Sequence, residues 1–311
     1  MVAGIGMTNQ RNLLGTSASI VRRNKRYIIW FFLLNFLFAD LGANGFSSPT
    51  HAILDHSLYA DKMLHGFDVL AFLEMLVRPE FGPLRGPTIP ATIFAALFLL
   101  ASLLFMPGVI LGYSFDHRIS RNEFFRACSH NLWRFVRLVI IYIVIAGIIA
   151  GILFGIQGGV VKAAENALDE RTPFFVQLAC GIVIFIVMTT IRIWFDLAQT
   201  DVVLQDQGLV RRSIATAFRQ TKRNLGKLLG TYIVISLLAL AILIAGIWLW
   251  HAIVPPSSVL GAFLIGEATL LLLLAMRFWQ RAAAVAFSVR LLEHAGEDSL
   301  AATLPAAVSA S

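Results

Sequence analysis

Six stretches of the chain are nearly continuous apolar text, each bounded by polar or turn-forming residues. They run from Tyr27 to Phe46, Pro90 to Tyr113, Phe135 to Val160, Pro173 to Phe195, Leu228 to Val254 and Ser258 to Arg277. A helix that crosses a bilayer needs about 20 mostly apolar residues, and each stretch meets that length. The first is interrupted by Asn35 and Asp40. Pro255-Pro256-Ser257-Ser258 separates the last two. Proline fixes φ and cannot continue the hydrogen-bonded ladder, so a tight turn is expected there. The pattern predicts an all-α polytopic transmembrane bundle of six spans within residues 27–291. An outer loop is expected over about 47–88, a basic segment over 1–26 and a disordered tail over 292–311.

Between hairpins the period changes from continuous to amphipathic. Phe124, Cys128, Leu132 and Phe135 recur at helical spacing, with Arg126, His130, Arg134 and Arg137 on another face. Further on, Val210, Ile214, Ala217, Phe218, Thr221 and Leu225 form one stripe, opposed by Arg212, Arg219, Arg223 and Lys227. Such segments are expected to lie in the headgroup plane and attract anionic lipid. They also recur. Phe125-Arg126 and Asn131-Leu132 reappear as Phe218-Arg219 and Asn224-Leu225 at an offset of 93, and Arg23-Asn24 is a fainter third copy. The chain therefore reads as three units, each a basic elbow followed by a two-helix hairpin.

Composition supports a bilayer as solvent. The 311 residues are 58% hydrophobic and 14% charged, against about 25% charged in a soluble domain. A net charge of +7 raises the question of nucleic acid. The cations sit in blocks beside apolar runs, which is the pattern of cytoplasmic flanks and not of a nucleic-acid surface. With the N-terminus inside, the inner segments hold 20 of the 25 Lys and Arg residues and the outer ones hold five. Both termini are then expected to be cytoplasmic. The first apolar run starts too late, and lacks a clean small-residue site, for a cleaved signal. Cys128 and Cys180 fall at different depths, so no disulfide is expected between them.

The run Asp201-Val-Val-Leu-Gln-Asp-Gln-Gly208, followed by Ser213, Ala217 and Asn224-Leu225, leads into the fifth span. It resembles the membrane domain of bacterial glycerophosphodiester phosphodiesterases and of related stand-alone six-span proteins. Leu54-Asp-His-Ser-Leu and His65-Gly-Phe-Asp68 are similar to one such stand-alone group. The resemblance covers the topology of most of the chain and about 30 residues of motif. It implies a membrane module in the bacterial cytoplasmic membrane. No phosphodiesterase domain is attached, so that activity is not implied.

Several constellations are candidates for packing or chemistry. Gly147, Gly151, Gly155 and Gly159 recur every fourth residue in the third span. A side-chain-free face lets another backbone approach, from an internal helix or from another protomer, and the internal partner is the one expected. Ionisable residues within spans are costly and usually functional. Asp40 and Glu267 both count to the outer half of the hydrocarbon at about 1.5 Å per residue, with Asn35 and His251 as neighbours in a candidate polar site. At the inner ends, Arg192-Ile-Trp194-Phe-Asp196 matches Arg277-Phe-Trp279-Gln-Arg281. Opposite charges at equivalent positions make an Asp196–Arg281 pair a candidate, and the two Trp residues read as aromatic-belt residues. The outer segment holds His51, Asp55, His56, Asp61, His65 and Asp68; Asp61, His65 and Asp68 have helical spacing that could offer ligands to a divalent metal, but scattered His and Asp on a solvated face is the commoner arrangement. No catalytic motif, cofactor motif or metal site is expected. The expected role is a lipid-facing or transport-associated membrane module, with anionic headgroups as partners and a protein partner or a second copy as further candidates. The rivals are a scaffold that docks a partner through its elbows and an intramembrane enzyme.

Overall fold

The computed structural model describes residues 13–54, 85–164, 171–206, 208–255 and 258–308. The described residues form eight α-helices: α1 (Leu13–Arg23), α2 (Lys25–Leu54), α3 (Arg85–Ser114), α4 (Arg121–Ala164), α5 (Thr172–Leu204), α6 (Val210–Arg223), α7 (Leu225–Ile253) and α8 (Val259–Val308). Six of them, α2 to α5 with α7 and α8, are long and apolar enough to cross a membrane. The fold is an all-α polytopic bundle. Along the spans the exposed side chains are apolar, as at Ile148, Ile152, Leu240 and Ile244. A contiguous apolar exterior of this extent belongs in lipid.

Local chemistry explains where helices begin and break. Ser120 and Glu123 open α4 with a reciprocal capping box. The Ser120 N–H donates to Glu123 Oε2 at 2.8 Å, and the Glu123 N–H donates to Ser120 Oγ at 3.2 Å. Pro173 sits at the start of α5, where its missing N–H costs nothing. Asn24 and Asn224 separate elbow from span, between α1 and α2 and between α6 and α7. Asn131, their counterpart, does not. Its amide donates back to the Ala127 carbonyl at 3.1 Å, and α4 runs unbroken for 44 residues. At 1.5 Å per residue that is about 66 Å, more than twice the hydrocarbon thickness, so one end of α4 lies outside it. Helix α8 continues through Val308, across the segment expected to be disordered, where Ala and Leu favour helix.

The fold divides into two compact units. Residues 1–23, 105–236 and 279–311 form one, and residues 24–104 and 237–278 the other. In the second unit aromatic pairs join the helices: Phe31 with Phe278 at 5.1 Å, Phe36 with Phe263 at 6.1 Å and Phe38 with Phe94 at 6.3 Å between ring centroids. Close backbone approaches occur at two glycines. A Cβ on Gly42 would lie 3.3 Å from the Ala91 backbone, and one on Gly246 would overlap the Thr269 side chain. The first unit has its own at Gly108. A Cβ there would lie 2.5 Å from the Phe124 ring and 2.8 Å from Cys128 Sγ.

The glycine stripe of α4 behaves differently from its sequence reading. Gly147, Gly151, Gly155 and Gly159 are exposed, and a Cβ on any of them meets nothing within 4 Å. No internal helix packs on that face among the described residues. Glycine permits close approach but does not compel it, and here the approaches were made at single glycines facing bulky partners.

Gly108→Leu should therefore lower thermal stability by about 1–3 kcal/mol through overpacking against Phe124 and Cys128. Gly151→Leu should leave the melting temperature of purified protein unchanged. Equal melting temperatures for wild type and Gly108→Leu would show that the Phe124 contact is not a packing constraint.

Candidate functional site

In the first unit the elbows are fixed to the return helices by repeated contacts. The indole N–H of Trp279 on α8 donates to Ser17 Oγ at 2.9 Å and lies 3.3 Å from the Leu14 carbonyl of α1. The indole N–H of Trp194 on α5 donates to the Ile214 carbonyl of α6 at 2.9 Å. Leu14 and Ile214 are equivalent once Asn24 is aligned with Asn224. The third elbow, at the start of α4, docks on α3 without a Trp. There Cys128 Sγ lies 3.8 Å from the Phe105 carbonyl and Phe124 seats against Gly108. Each elbow thus packs on the return helix preceding it, and α1 packs on the last. Trp194 and Trp279 are anchors of the elbows, where their motif match had suggested aromatic-belt positions.

A second recurring contact ties the turn after a return helix to the elbow that opened the same hairpin. Asp116, two residues beyond α3, pairs with Arg23 at 2.8 Å, and Arg23 also donates to the Phe115 carbonyl at 2.7 Å. Asp206, two residues beyond α5, pairs with Arg134 and lies 3.0 Å from His130 Nε2. The donors Arg134 and His130 hold the Asp206 carboxyl below the usual carboxylate range. Asp206 has φ 48°, in the left-handed region that commonly ends helices and that Asp tolerates better than most residues. Arg134 was expected to face lipid. It is instead committed to Asp206, because the turn brings an acid to that face of the elbow.

Between α5, α7 and α8 lies a buried polar cluster. Tyr232, fully buried, donates its hydroxyl to Asp196 Oδ2 at 2.9 Å. Arg192, one turn earlier on α5, places Nε 3.8 Å from the same oxygen. Gln280 on α8 donates to Ser236 Oγ at 2.9 Å and reaches the Tyr232 carbonyl at 3.4 Å. The positive charges of Arg192 and Arg281 both bear on Tyr232. The expected direct Asp196–Arg281 pair is not formed; Tyr232 supplies the short donor. Arg277 is exposed. The cluster is a satisfied polar core that fixes three helices, since a buried carboxylate is tolerated only with donors around it.

The members of the candidate intramembrane site differ in exposure. Asp40 and His251 are exposed, Asn35 and Glu267 half-buried, and among the described residues none of the four is hydrogen bonded or ion paired to another. Of the outer cluster, Asp55, His56, Asp61, His65 and Asp68 lie outside the described residues, as does the side chain of His51. Among the described residues no group of three metal-type ligands occurs.

The remaining elbow cations are exposed. Arg126 and Arg137 on α4 stand out from its surface, with the Arg137 guanidinium 5.2 Å from the Trp133 ring centroid. On α6, Val210, Ser213, Ala217 and Thr221 are buried, while Arg211, Arg212, Arg219, Lys222 and Arg223 are exposed, as is Lys227 at the start of α7. Leu209 and Phe218 are exposed beside them. Alongside runs a groove of about 470 Å³ between α4 and the turn into α6, with Arg137 and Arg211 at its rim. Sequence reading missed Tyr232, Gln280, Gly108 and Arg211. Only the matched Trp194 and Trp279 registers carried a signal for the anchoring that the structure shows.

If the indole bonds hold the elbows, Trp279→Phe should speed amide hydrogen exchange in α1, and Trp194→Phe in α6, each several-fold. That is the scale of one net hydrogen bond of about 1 kcal/mol. Unchanged α1 exchange in Trp279→Phe would place the anchor elsewhere. No protein-family model matches the chain, and no protein of curated function and no solved structure matches it.

Proposed function

We propose that this protein is a non-catalytic module of a bacterial cytoplasmic membrane, with both ends in the cytoplasm, whose basic elbows engage the anionic inner leaflet. The observation that carries the reading is α6. One face is docked on the protein, while the other presents five exposed cations. Each Lys or Arg near an anionic surface contributes about 1 kcal/mol, so such a face would hold acidic lipid strongly. The exposed apolar side chains of Leu209 and Phe218, interleaved with the cations, suit a headgroup boundary better than an acidic protein surface. The bias of Lys and Arg toward one side supports the orientation. The resemblance to phosphodiesterase membrane domains supports a membrane module without attaching a reaction to it.

The test is lipid selection. Protein reconstituted in equimolar phosphatidylglycerol and phosphatidylcholine should retain an annulus enriched in phosphatidylglycerol. Combined Arg212→Gln, Arg219→Gln and Arg223→Gln should reduce that enrichment several-fold, and high salt should do the same to wild type. Enrichment that survives both treatments would sink the reading. Loss of a co-purifying protein with unchanged lipid would favour the scaffold role.

A further inference from the structure

We propose that the groove between α4 and the turn into α6 is a discrete site for one anionic glycerophospholipid, its phosphate held between Arg137 and Arg211 and one acyl chain laid along Ile140, Ile141 and Leu209. This rests on the lipid-engaging reading of the elbows and goes further. It replaces a diffuse electrostatic surface by one stoichiometric site of defined composition.

Position along α4 gives the first argument. Arg137 is the last cation before a continuous apolar run that begins Leu138-Val139-Ile140-Ile141. The rim of the groove therefore stands at the headgroup boundary, and its walls enter the hydrocarbon. Its volume, about 470 Å³, lies within the usual range of about 300–1,000 Å³ for small-molecule sites. The lining brings two arginines, Arg137 and Arg211, together with Ile140, Ile141, Leu209 and Val210, and is mostly apolar. A phospholipid has the same division, an anionic end joined to an apolar tail. A free phosphate would use only the rim. An acidic peptide would leave an aliphatic wall, already facing lipid, without a partner.

Charge supplies the second argument. The acid nearest in sequence to the groove is Asp206, two residues before Gly208. Its carboxylate is taken by Arg134 and His130. It therefore does not need Arg137 or Arg211 as a partner, and the rim stays cationic. The Arg137 guanidinium lies 5.2 Å from the centroid of the Trp133 ring, one turn earlier on α4. Helix α6 begins at the same rim with Leu209 as its N-cap and no side-chain cap, which leaves partial positive charge on its first amides.

Native mass spectrometry with the purified full chain tests the site. Phosphatidylglycerol titrated into detergent-solubilised protein should give one tight first binding step, clearly separated from later ones. Phosphatidylcholine should give no such step. Combined Arg137→Gln and Arg211→Gln should weaken the first step about tenfold or more. Ile140→Trp, which fills the groove without removing a charge, should weaken it as well. Arg219→Gln, outside the groove, should leave it intact. Millimolar inorganic phosphate should not displace the lipid; displacement would make this an anion site and overturn the lipid assignment. Undiminished first-step binding in the double variant, with an unchanged melting temperature in lipid-free detergent, would overturn the proposal. Failure of the broader reading looks different: bulk phosphatidylglycerol enrichment would then be insensitive to the α6 substitutions.

Discussion

Docking of amphipathic elbows onto the return helices is the interaction on which the first unit depends. Short basic helices such as α1 and α6, of 11 and 14 residues, are marginal alone in water. Each becomes a fixed element because one face is buried and one indole N–H is satisfied by its backbone or hydroxyl groups. Trp279 does this for α1 and Trp194 for α6. The third elbow needs no indole. It is the covalent start of α4, and Phe124 fills the space that Gly108 leaves open. Once the elbows are fixed, the turns after α3 and α5 are fixed too, through Arg23–Asp116 and Arg134–Asp206. Surface ion pairs contribute little energy by themselves. Here they specify which turn meets which elbow in the first two hairpins.

The helices have a second constraint, because lipid gives apolar side chains no reason to associate. Contact must come from close packing or from polar groups that need partners. The bundle uses both, at different places. Gly42, Gly108 and Gly246 each receive a neighbour within the distance a Cβ would occupy. Asp196, Tyr232, Gln280 and Ser236 join α5, α7 and α8 through hydrogen bonds. A carboxylate in this setting would be expensive without Tyr232, so each polar group makes the others necessary. The regular glycine stripe of α4 takes part in neither device.

Much of the fold is legible in the sequence because membrane helices must satisfy their own backbone and keep apolar side chains outside. Length and hydropathy then locate spans nearly unaided, and six were read where the described residues hold six helices long and apolar enough to cross a membrane. The elbows were also legible, since amphipathic period and charge appear together. Partners were harder. Trp194 and Trp279 stood in matched motifs, but no periodicity states that an indole 20 residues before Ile214 will reach its carbonyl. The α4 glycines have no internal partner among the described residues, because spacing records that approach is possible, not which helix makes it. Asp40 and Glu267 share a counted depth, yet depth along two helices does not determine which faces are turned together. The α4–α6 groove was invisible because Arg211 and Ile140 are 71 positions apart in the chain.

Pairing sorts the cations of the inner segments into two kinds. Arg23, Arg134 and Arg192 each have an acid within the first unit: Asp116, Asp206 and Asp196. These three acids sit at return-helix ends or just beyond them, where the neighbouring elbow or the preceding turn supplies the arginine. Their partners are therefore structural. Arg126, Arg137, Arg211, Arg212, Arg219 and Arg223 stand exposed on the elbows. A block of like charge normally repels itself and resists folding onto a surface. Folding here commits Asp116 and Asp206 to Arg23 and Arg134 and leaves the surplus positive charge on the exposed faces. An anionic surface then has a physical role beyond recruitment, because it relieves a repulsion that the fold itself concentrates. Elbow order and lipid charge are thereby coupled: whatever holds α6 in place sharpens the cationic face, and whatever neutralises that face makes the docked position of α6 easier to keep.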